Sequence, residues 1–239
     1  MPAFRWRKRR AALVELRLQV GREGRREASA TALKKFGSSV DRVKRSLYCG
    51  HMDTKAQIIS SAERAFDHHG FAATGMDRLT EAAEVSSRTL YKHVGSKTAL
   101  ITAVLEERGR RFFRQFDVHS VDALFAVLES WTRIEGARGC LFLRALGETG
   151  GEIAEVSDAV AVYRRKLRDL IDRVVATDID QGGSDVLAGQ ILVIFEGAIS
   201  AASYRGVDAI RAARAAAAIL VEYATSNPKH RDRNRSSRS

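Results

Sequence analysis

The segment over residues 79–97 constrains the fold more than any other part of the sequence. Its spacing predicts two short helices joined by a sharp turn. Leu79, Ala82 and Ala83 share the inner face of the first helix, and Leu90 and Val94 lie four residues apart on the inner face of the second. Ser86 is well placed to begin the second helix, because its hydroxyl can accept a hydrogen bond from a free backbone N–H of the next turn. Small apolar residues before the turn let the two helices cross closely at a steep angle, which is the helix-turn-helix arrangement.

The second helix of this segment has a polar face opposite its apolar positions. That face carries short hydroxyls, two cations, a tyrosine and a histidine: Ser87, Arg88, Thr89, Tyr91, Lys92 and His93. Side chains of these types can reach both the phosphates and the base edges of DNA. An ordinary pair of surface helices with a solvated charged face has the same spacing, so the residues alone leave both interpretations open.

A longer pattern around this segment separates the two interpretations. The residues that carry it have fixed spacing without a gap: Ala65-Phe66, Gly70-Phe71, Thr74-Gly75-Met76, Leu79-Thr80, Ala83-Glu84-Val85-Ser86, Thr89-Leu90-Tyr91-Lys92-His93-Val94 and Lys97-Thr98-Ala99-Leu100. From residue 65 to residue 100 the chain resembles the DNA-binding domain of the tetracycline-repressor (TetR) family of bacterial regulators. It departs from the family at Glu84, where glycine is usual. Glycine relieves the strain of a positive φ, so we expect Glu84 to cost some stability.

The resemblance implies an all-α protein, in which an N-terminal three-helix helix-turn-helix domain is joined to a C-terminal helical ligand-binding and dimerisation domain. The composition agrees, since the chain has only 2 prolines and abundant Ala, Leu, Arg and Glu. We expect the DNA-binding domain over residues 52–98 and the effector-binding and dimerisation domain over residues 99–225. The first helix is predicted from Thr54 to about His68, with Thr54 and Gln57 at capping-box spacing.

The positive charge of the chain lies at its two ends. The formal net charge is +11; residues 1–51 hold 14 Lys or Arg against 4 Asp or Glu, whereas residues 52–225 hold 21 against 24. Residues 226–239 are also basic and are expected to form a disordered tail. Residues 1–51 could be a basic arm that contacts phosphates, a disordered extension, or the result of a misassigned start upstream of Met52. We favour the last two interpretations and expect this segment to be dispensable for specific recognition.

The resemblance implies DNA contacts for eight residues of the reading segment. The bases would be approached by Ser87, Arg88 and Thr89. The phosphates would be held by Tyr91, Lys92, His93 and Lys97. The hydroxyl of Ser86 would cap the helix and also touch the DNA backbone.

The rest of the chain predicts a second site and an interface. Aromatic residues spread over several helices are candidates for an effector pocket, although filling the core is their more common role: Phe112, Phe116, Phe125, Trp131, Phe142, Tyr163 and Phe195. The last two helices are apolar around most of their circumference, which predicts either a buried intrachain pair or a four-helix dimer interface. The candidate interface residues are Leu187, Ile191, Ile194, Ala198, Ala202, Ala217, Leu220 and Val221.

These expectations together describe a cytoplasmic, homodimeric, sequence-specific regulator of transcription. It would bind a double-stranded DNA operator, typically an inverted repeat, as a repressor that a small-molecule effector releases. No cofactor or metal is expected, because Cys49 and Cys140 fit no metal or disulfide pattern. No membrane span is expected either, because the apolar runs at residues 191–195 and 215–221 each end at a glutamate.

Two other classes of function remain as alternatives. A non-specific nucleic-acid-binding protein could act through its basic ends alone, and removal of residues 1–51 and 226–239 would then abolish binding. A small helical enzyme is the weaker alternative, since the sequence has no Ser/His/Asp ordering, glycine-rich phosphate loop or paired-cysteine metal spacing. We therefore predict that the protein is not an enzyme.

Overall fold

The computed structural model describes residues 53–179 and 185–226, and all regular elements within these ranges are α-helices. The predicted basic extension over residues 1–51, the loop at 181–184 and nearly all of the predicted tail lie outside the described residues. The helices are α1 (Thr54–His69), α2 (Met76–Ala83), α3 (Ser87–Val94), α4 (Lys97–Phe113), α5 (Val121–Glu135), α6 (Leu141–Glu148), α7 (Ala154–Asp178), α8 (Asp185–Arg205) and α9 (Val207–Ser226). The prediction of an all-α fold is confirmed.

Helices α1 to α3 form the head of the molecule. Helix α1 packs against α2, α3 and α4, and its apolar stripe is fully buried. The rings of Phe66, at the end of α1, and Phe71, in the following loop, stack with their centroids 4.8 Å apart. Leu79 and Leu90 are buried as predicted, whereas Ala82, which was expected on the same inner face, is exposed. The inner face of α2 is therefore narrower than the sequence suggested.

The start of α1 differs from the predicted capping box. The residue that caps the helix is Asp53, whose carboxylate accepts a hydrogen bond from the backbone N–H of Lys55. The side-chain amide of Gln57 instead donates to the carbonyl oxygen of Ala83 at 3.1 Å. This bond ties α1 to the end of α2, so Gln57 holds the helix-turn-helix together rather than its own helix end.

The turn between α2 and α3 has the strained backbone that the sequence predicted. Glu84 adopts a left-handed conformation with φ 53° and ψ 40°, and it is the non-glycine residue with a positive φ among the described residues. Its backbone N–H bonds to carbonyl groups of the last turn of α2, which ends the helix. A side chain at such a position costs on the order of 1 kcal/mol.

Helices α5 to α9, together with the second half of α4, form the body. Helix α7 packs against α4, α6 and α8, and α9 packs against both α8 and α5. Phe125 of α5 and Phe195 of α8 are fully buried, with their ring centroids 5.7 Å apart. Helix α4 runs without a break from the head into the body, which makes it a continuous connection between the two.

Helix α8 is long and apolar enough to cross a lipid bilayer by length and composition alone, with a mean hydropathy of 1.7. The expectation considered only the apolar run at residues 191–195. The whole 21-residue helix remains apolar on average, because the glutamate that ends this run lowers the mean hydropathy only slightly. Core helices of soluble proteins meet the same criterion. Helix α8 buries Leu187, Ile191 and Phe195 against the rest of the body, so its composition is only weak evidence for a membrane span.

A buried ion-pair cluster joins the head to the body. Oε1 of Glu63, on α1, accepts hydrogen bonds at 2.7 Å from both Arg108 and Arg111 of α4. Oε2 of Glu135, at the end of α5, accepts hydrogen bonds from the same two arginines, at 2.7 Å from Arg108 and 3.2 Å from Arg111. The guanidinium carbon of Arg108 also lies 5.0 Å from the ring centroid of Trp131. We call these four charged residues the inner junction.

A second set of contacts joins the head to α6 and the loop before it. The carboxylate of Asp67 accepts a hydrogen bond from Arg138 at 2.9 Å, and its backbone carbonyl oxygen accepts one from Arg144 at 2.8 Å. Glu148 accepts a hydrogen bond from the backbone N–H of Ala72 at 2.8 Å. We call these contacts the outer junction. Gly70 is required there, because its φ is +81° and an added Cβ would lie 2.9 Å from both carboxylate oxygens of Glu148.

Candidate DNA-binding surface and effector site

Helix α3 is fixed in the head by its caps and its two apolar residues. The hydroxyl of Ser86 accepts a hydrogen bond from the backbone N–H of Thr89 at 3.1 Å, as its predicted capping role requires. Leu90 and Val94 are 0% and 8% exposed, so the inner face of the helix is anchored in the core. The helix ends at Gly95, whose φ is 74°. The polar face of α3 is thus held in a defined orientation.

The structure places the predicted DNA contacts in two groups. Ser87, Arg88, Tyr91 and Lys92 are exposed and share one side of α3, since they lie at spacings of three and four residues. Thr89 and His93 are half-buried on the edge of that side. The hydroxyl of Thr89 lies 2.8 Å from that of Ser86, so these two hydroxyls bond to each other as part of the cap. The four residues of the first group form what we call the reading face.

Lys97 lies apart from the reading face, at the first residue of α4. It is half-buried, and its Nζ donates to the carbonyl oxygen of Ala72 at 3.3 Å. The sequence between residues 85 and 105 contains Arg88, Lys92 and Lys97 but no Asp or Glu. The charged residues of α3 and of the start of α4 are therefore all cations, which favours an anionic partner for this stretch.

Two exposed cations of the head were missed by the sequence-based prediction. Lys55 lies in the first turn of α1 and Arg78 on α2, and neither forms an ion pair among the described residues. Their exposed positions on helices adjoining α3 make them further candidates for phosphate contacts. The sequence indicated only that these two residues lie outside the apolar stripes of their helices.

The seven predicted pocket aromatics form one network of ring contacts. Phe112 is at its centre, with its ring centroid 4.5 Å from Phe116, 5.2 Å from Trp131 and 5.9 Å from Tyr163. Four of the seven line a small, partly open cavity of about 40 Å³: Phe112, Trp131, Phe142 and Tyr163. Phe116, Phe125 and Phe195 do not line this cavity and are packed in the core. A cavity of this size holds about one water molecule and no organic effector.

The cavity is lined by two groups with raised pKa values, Cys140 and Tyr163, and by the ion-paired guanidinium group of Arg108. Burial raises the pKa of the Cys140 thiol above its ordinary value, so the thiol is not activated as a nucleophile. Burial also raises the pKa of Tyr163 well above its ordinary value. Within residues 53–179 and 185–226, no three His, Cys, Asp or Glu side chains are grouped in a way that could hold a metal ion.

The predicted dimer residues on α8 and α9 need correction. Five of the eight are buried within the single chain and so cannot contact a partner: Leu187, Ile191, Ala198, Ala202 and Ala217. Ile194, Leu220 and Val221 are half-buried. The apolar residues that these helices do expose are different: Val186, Val193, Tyr204, Ile219 and Tyr223 are between 49% and 78% exposed. The apolar pattern of these helices did not distinguish the residues that the chain itself buries from those that it exposes.

Comparisons with known proteins agree with this architecture. Residues 58–104 match the family model of the bacterial regulatory proteins of the TetR family. The HTH-type transcriptional regulator UidR of Escherichia coli is 29% identical over 100 residues, which cover 40% of this chain and 51% of UidR. The HTH-type transcriptional regulator TtgR of Pseudomonas putida is 41% identical over 54 residues, covering 23% of this chain and 26% of TtgR. The chain thus matches about half the length of UidR and less of TtgR.

A solved structure extends the similarity of fold into the body. SCO4454, a TetR-family transcriptional regulator from Streptomyces coelicolor, superposes with a TM-score of 0.63 at 22% sequence identity, covering 72% of this chain and 96% of that chain. The head that was predicted from the sequence to resemble this family is therefore confirmed as such. The chain is TetR-like: it carries the family's N-terminal helix-turn-helix domain, joined to a helical body with the fold of a TetR-family regulator.

Proposed function

We propose that this protein is a sequence-specific DNA-binding regulator of transcription that acts in the cytoplasm. The observation that carries the proposal is the reading face of α3, which is exposed, fixed by its caps and surrounded by sequence without acidic residues. A helix of this size fits the major groove of DNA, where an arginine can donate to a guanine and a lysine can hold a phosphate. Arg88 would read a base, and Lys92 and Lys97 would position the head.

The protein would act as a homodimer on an inverted repeat. One reading helix spans too few base pairs for useful specificity, and two-fold pairing places two such helices in successive major grooves. The exposed apolar residues of α8 and α9 support a self-complementary interface of this kind. A four-helix contact centred on Val193 and Ile219 would bury them on both protomers.

The proposed regulation is repression released by a small molecule. Helix α4 supports this proposal, because it carries Lys97 at the head end and packs against α7 in the body. A ligand that prefers one position of α4 would change the spacing of the two reading heads and so the affinity for DNA. The predicted division into a head over residues 52–98 and a body over residues 99–225 forms part of this proposal, with α4 crossing the division.

Selection of bound sequences from a random DNA pool tests DNA recognition and symmetry together. The full chain should enrich an inverted repeat, and a chain beginning at Met52 should enrich the same repeat with a shallower dependence on salt. Enrichment of no common sequence, or loss of all binding in the shorter chain, would support the non-specific alternative instead.

Substitution of the exposed apolar residues tests the interface. Val193→Asp combined with Ile219→Asp should shift the protein from dimer to monomer in sedimentation equilibrium at micromolar concentration. Ile134→Asp is the matched control, because Ile134 is 81% exposed but lies on α5. A double variant that remains as dimeric as the control would exclude this face.

A further inference from the structure

A surface groove lies between α4 and α7. It is distinct from the 40 Å³ cavity described above. Its volume is about 600 Å³, which is in the range of sites that bind organic molecules. Leu105, Gly109 and Phe113 line it at four-residue spacing along α4, and Ala159 and Val162 line it from α7. The groove is therefore large enough for a ligand that the 40 Å³ cavity cannot hold.

One aromatic wall separates the groove from the cavity. Phe142 and Tyr163 border both spaces, and their rings stack with centroids 3.7 Å apart and an interplanar angle of 9°. Gly109 lies beside this wall, where an added Cβ would be 3.4 Å from the ring of Phe142. Aromatic rings at the base of an apolar groove favour an aromatic ligand, because offset-stacked and edge-to-face contacts between rings are both stabilising.

The rim of the groove is mostly cationic. Arg110, Arg114 and Lys166 line it, against one acidic residue, Glu106. Arg110 is paired with Glu107. Arg114 and Lys166 have no ion-pair partner within the described part of the chain, and both are exposed. Two unpaired cations at the edge of an apolar groove favour a ligand with a negatively charged group.

We propose that the groove binds a planar aromatic carboxylate. Its ring would lie against the wall formed by Phe142 and Tyr163, and its carboxylate would lie between Arg114 and Lys166. The inference rests on the proposed function, in which such a molecule is the effector. Helix α4 forms one side of the groove and also holds Glu63 of the head through the inner junction, so a ligand against α4 bears on the position of the reading face.

Calorimetric titration of the full chain with three probes tests the ligand class. The probes are 2-naphthoate, which is planar and anionic; 2-naphthalenemethanol, which is planar and neutral; and cyclohexanecarboxylate, which is anionic but not aromatic. We expect 2-naphthoate to bind at least about tenfold more tightly than either of the others, since each lacks one of the two contacts. Equal affinity for the neutral alcohol, or no binding of 2-naphthoate, would overturn the proposal.

Variants locate the site. Arg114→Gln combined with Lys166→Gln should weaken 2-naphthoate binding by about tenfold and leave 2-naphthalenemethanol unaffected. Arg164→Gln combined with Arg165→Gln removes the same charge from exposed positions of α7 outside the groove and should change neither. Val162→Trp, which fills the groove from an exposed position, should abolish binding of both aromatic probes. Equal losses in the two charge variants, or unchanged binding in the tryptophan variant, would place the ligand elsewhere.

DNA selection by the same preparations separates this inference from the proposed function. Binding of 2-naphthoate by a protein that selects no DNA sequence would support the groove and overturn the regulator. Selection of an inverted repeat by a protein that binds no aromatic carboxylate would support the regulator and overturn the groove.

Discussion

The head is joined to the body by two sets of charged contacts that differ in burial. At the inner junction the side chains of Glu63 and Arg108 are 6% and 11% exposed. At the outer junction Asp67 is 10% exposed, but its partner Arg138 is 43% exposed. Water screens the outer contacts and reaches the inner ones only poorly. Both junctions join α1 to the body, but loss of a charge should cost more stability at the inner junction than at the outer one.

The inner junction is also less completely satisfied than the outer one. Oε2 of Glu63 and Nε of Arg111 are buried without a hydrogen-bond partner among the described residues. A buried ion pair is not a reliable source of net stability, because desolvation opposes its attraction, but removal of one member leaves an uncompensated charge. We therefore expect the inner junction to fix the position of the head while contributing little net stability. Four substitutions test this account of the fold.

The largest expected effect is at the inner junction. Glu63→Met should lower the free energy of unfolding by about 3 kcal/mol, because Arg108 and Arg111 then share Glu135 alone. Chemical denaturation measures the change. Glu63→Met combined with Arg108→Met should recover most of the loss, since it restores charge balance with apolar side chains. A double variant as unstable as the single one would show that the cluster stabilises the fold outright.

The outer junction should respond less. Asp67→Asn removes the ion pairs with Arg138 and Arg144, at 2.9 and 3.6 Å, but keeps the bond from Arg144 to the backbone carbonyl oxygen of residue 67. We expect a loss of about 1 kcal/mol in the free energy of unfolding by the same assay, because Arg138 is solvated and the contact to Arg144 is long. A loss equal to that of Glu63→Met would remove the distinction between the junctions.

A substitution in the turn between α2 and α3 should change the free energy of unfolding by a similar amount, but in the stabilising direction. Glu84→Gly should raise the free energy of unfolding by about 1 kcal/mol, because glycine adopts the left-handed conformation without strain. Glu81→Gly is the control, since it places glycine in α2 and should destabilise the protein by about the same amount. Glu84 takes part in neither junction, so Glu84→Gly should leave the contacts of both junctions unchanged. No gain in the Glu84 variant would mean that the strain at this turn is negligible.

The smallest expected effect is at an exposed ion pair of the body. Hydrogen bonds from Arg214, at 2.5 and 2.6 Å, lower the pKa of Asp122 below its ordinary value of 3.8. The folded state therefore binds this proton less readily than the unfolded state. The pair contributes stability above pH 3.8 that is lost as the pH falls through the lowered pKa. Because both groups are exposed, Asp122→Asn should cost less than about 1 kcal/mol at pH 7, and the difference from wild type should shrink in acid. A difference that grows in acid would contradict this assignment.

The sequence predicted those features that depend on local spacing. The helix cap at Ser86 and the buried pair of Leu90 and Val94 follow from the pattern over a few residues, and the structure has both. The positive φ of Glu84, which the resemblance to the family implied, is also present. The inner junction was not predicted, because Glu63 and Arg108 are 45 residues apart and nothing in their local patterns relates them. Such contacts depend on how α1 and α4 pack.

The burial of the apolar and aromatic residues of the body was harder to predict, for a related reason. A helix that is apolar on most sides gives no indication of which face packs against its own chain, and so residues such as Ile191, which the chain itself buries, were assigned to the interface. The aromatic residues were correctly grouped, but the packing of Phe112 against Phe116 and Trp131 leaves little space between them. The groove between α4 and α7 arises from packing alone.

The central claim is that the reading face of α3 recognises a DNA sequence, and the base preference of one variant tests it most directly. Arg88→Ala should still bind DNA but should lose its preference at one position in each half of the repeat, at a cost of about 1–3 kcal/mol for the preferred sequence. Arg164→Ala, which removes an exposed arginine from α7, should retain the full preference. These preferences are read by sequencing the DNA that each protein selects from a random pool. An Arg88→Ala protein that selects the same sequence as the control, with the same preference at every position, would contradict the claim.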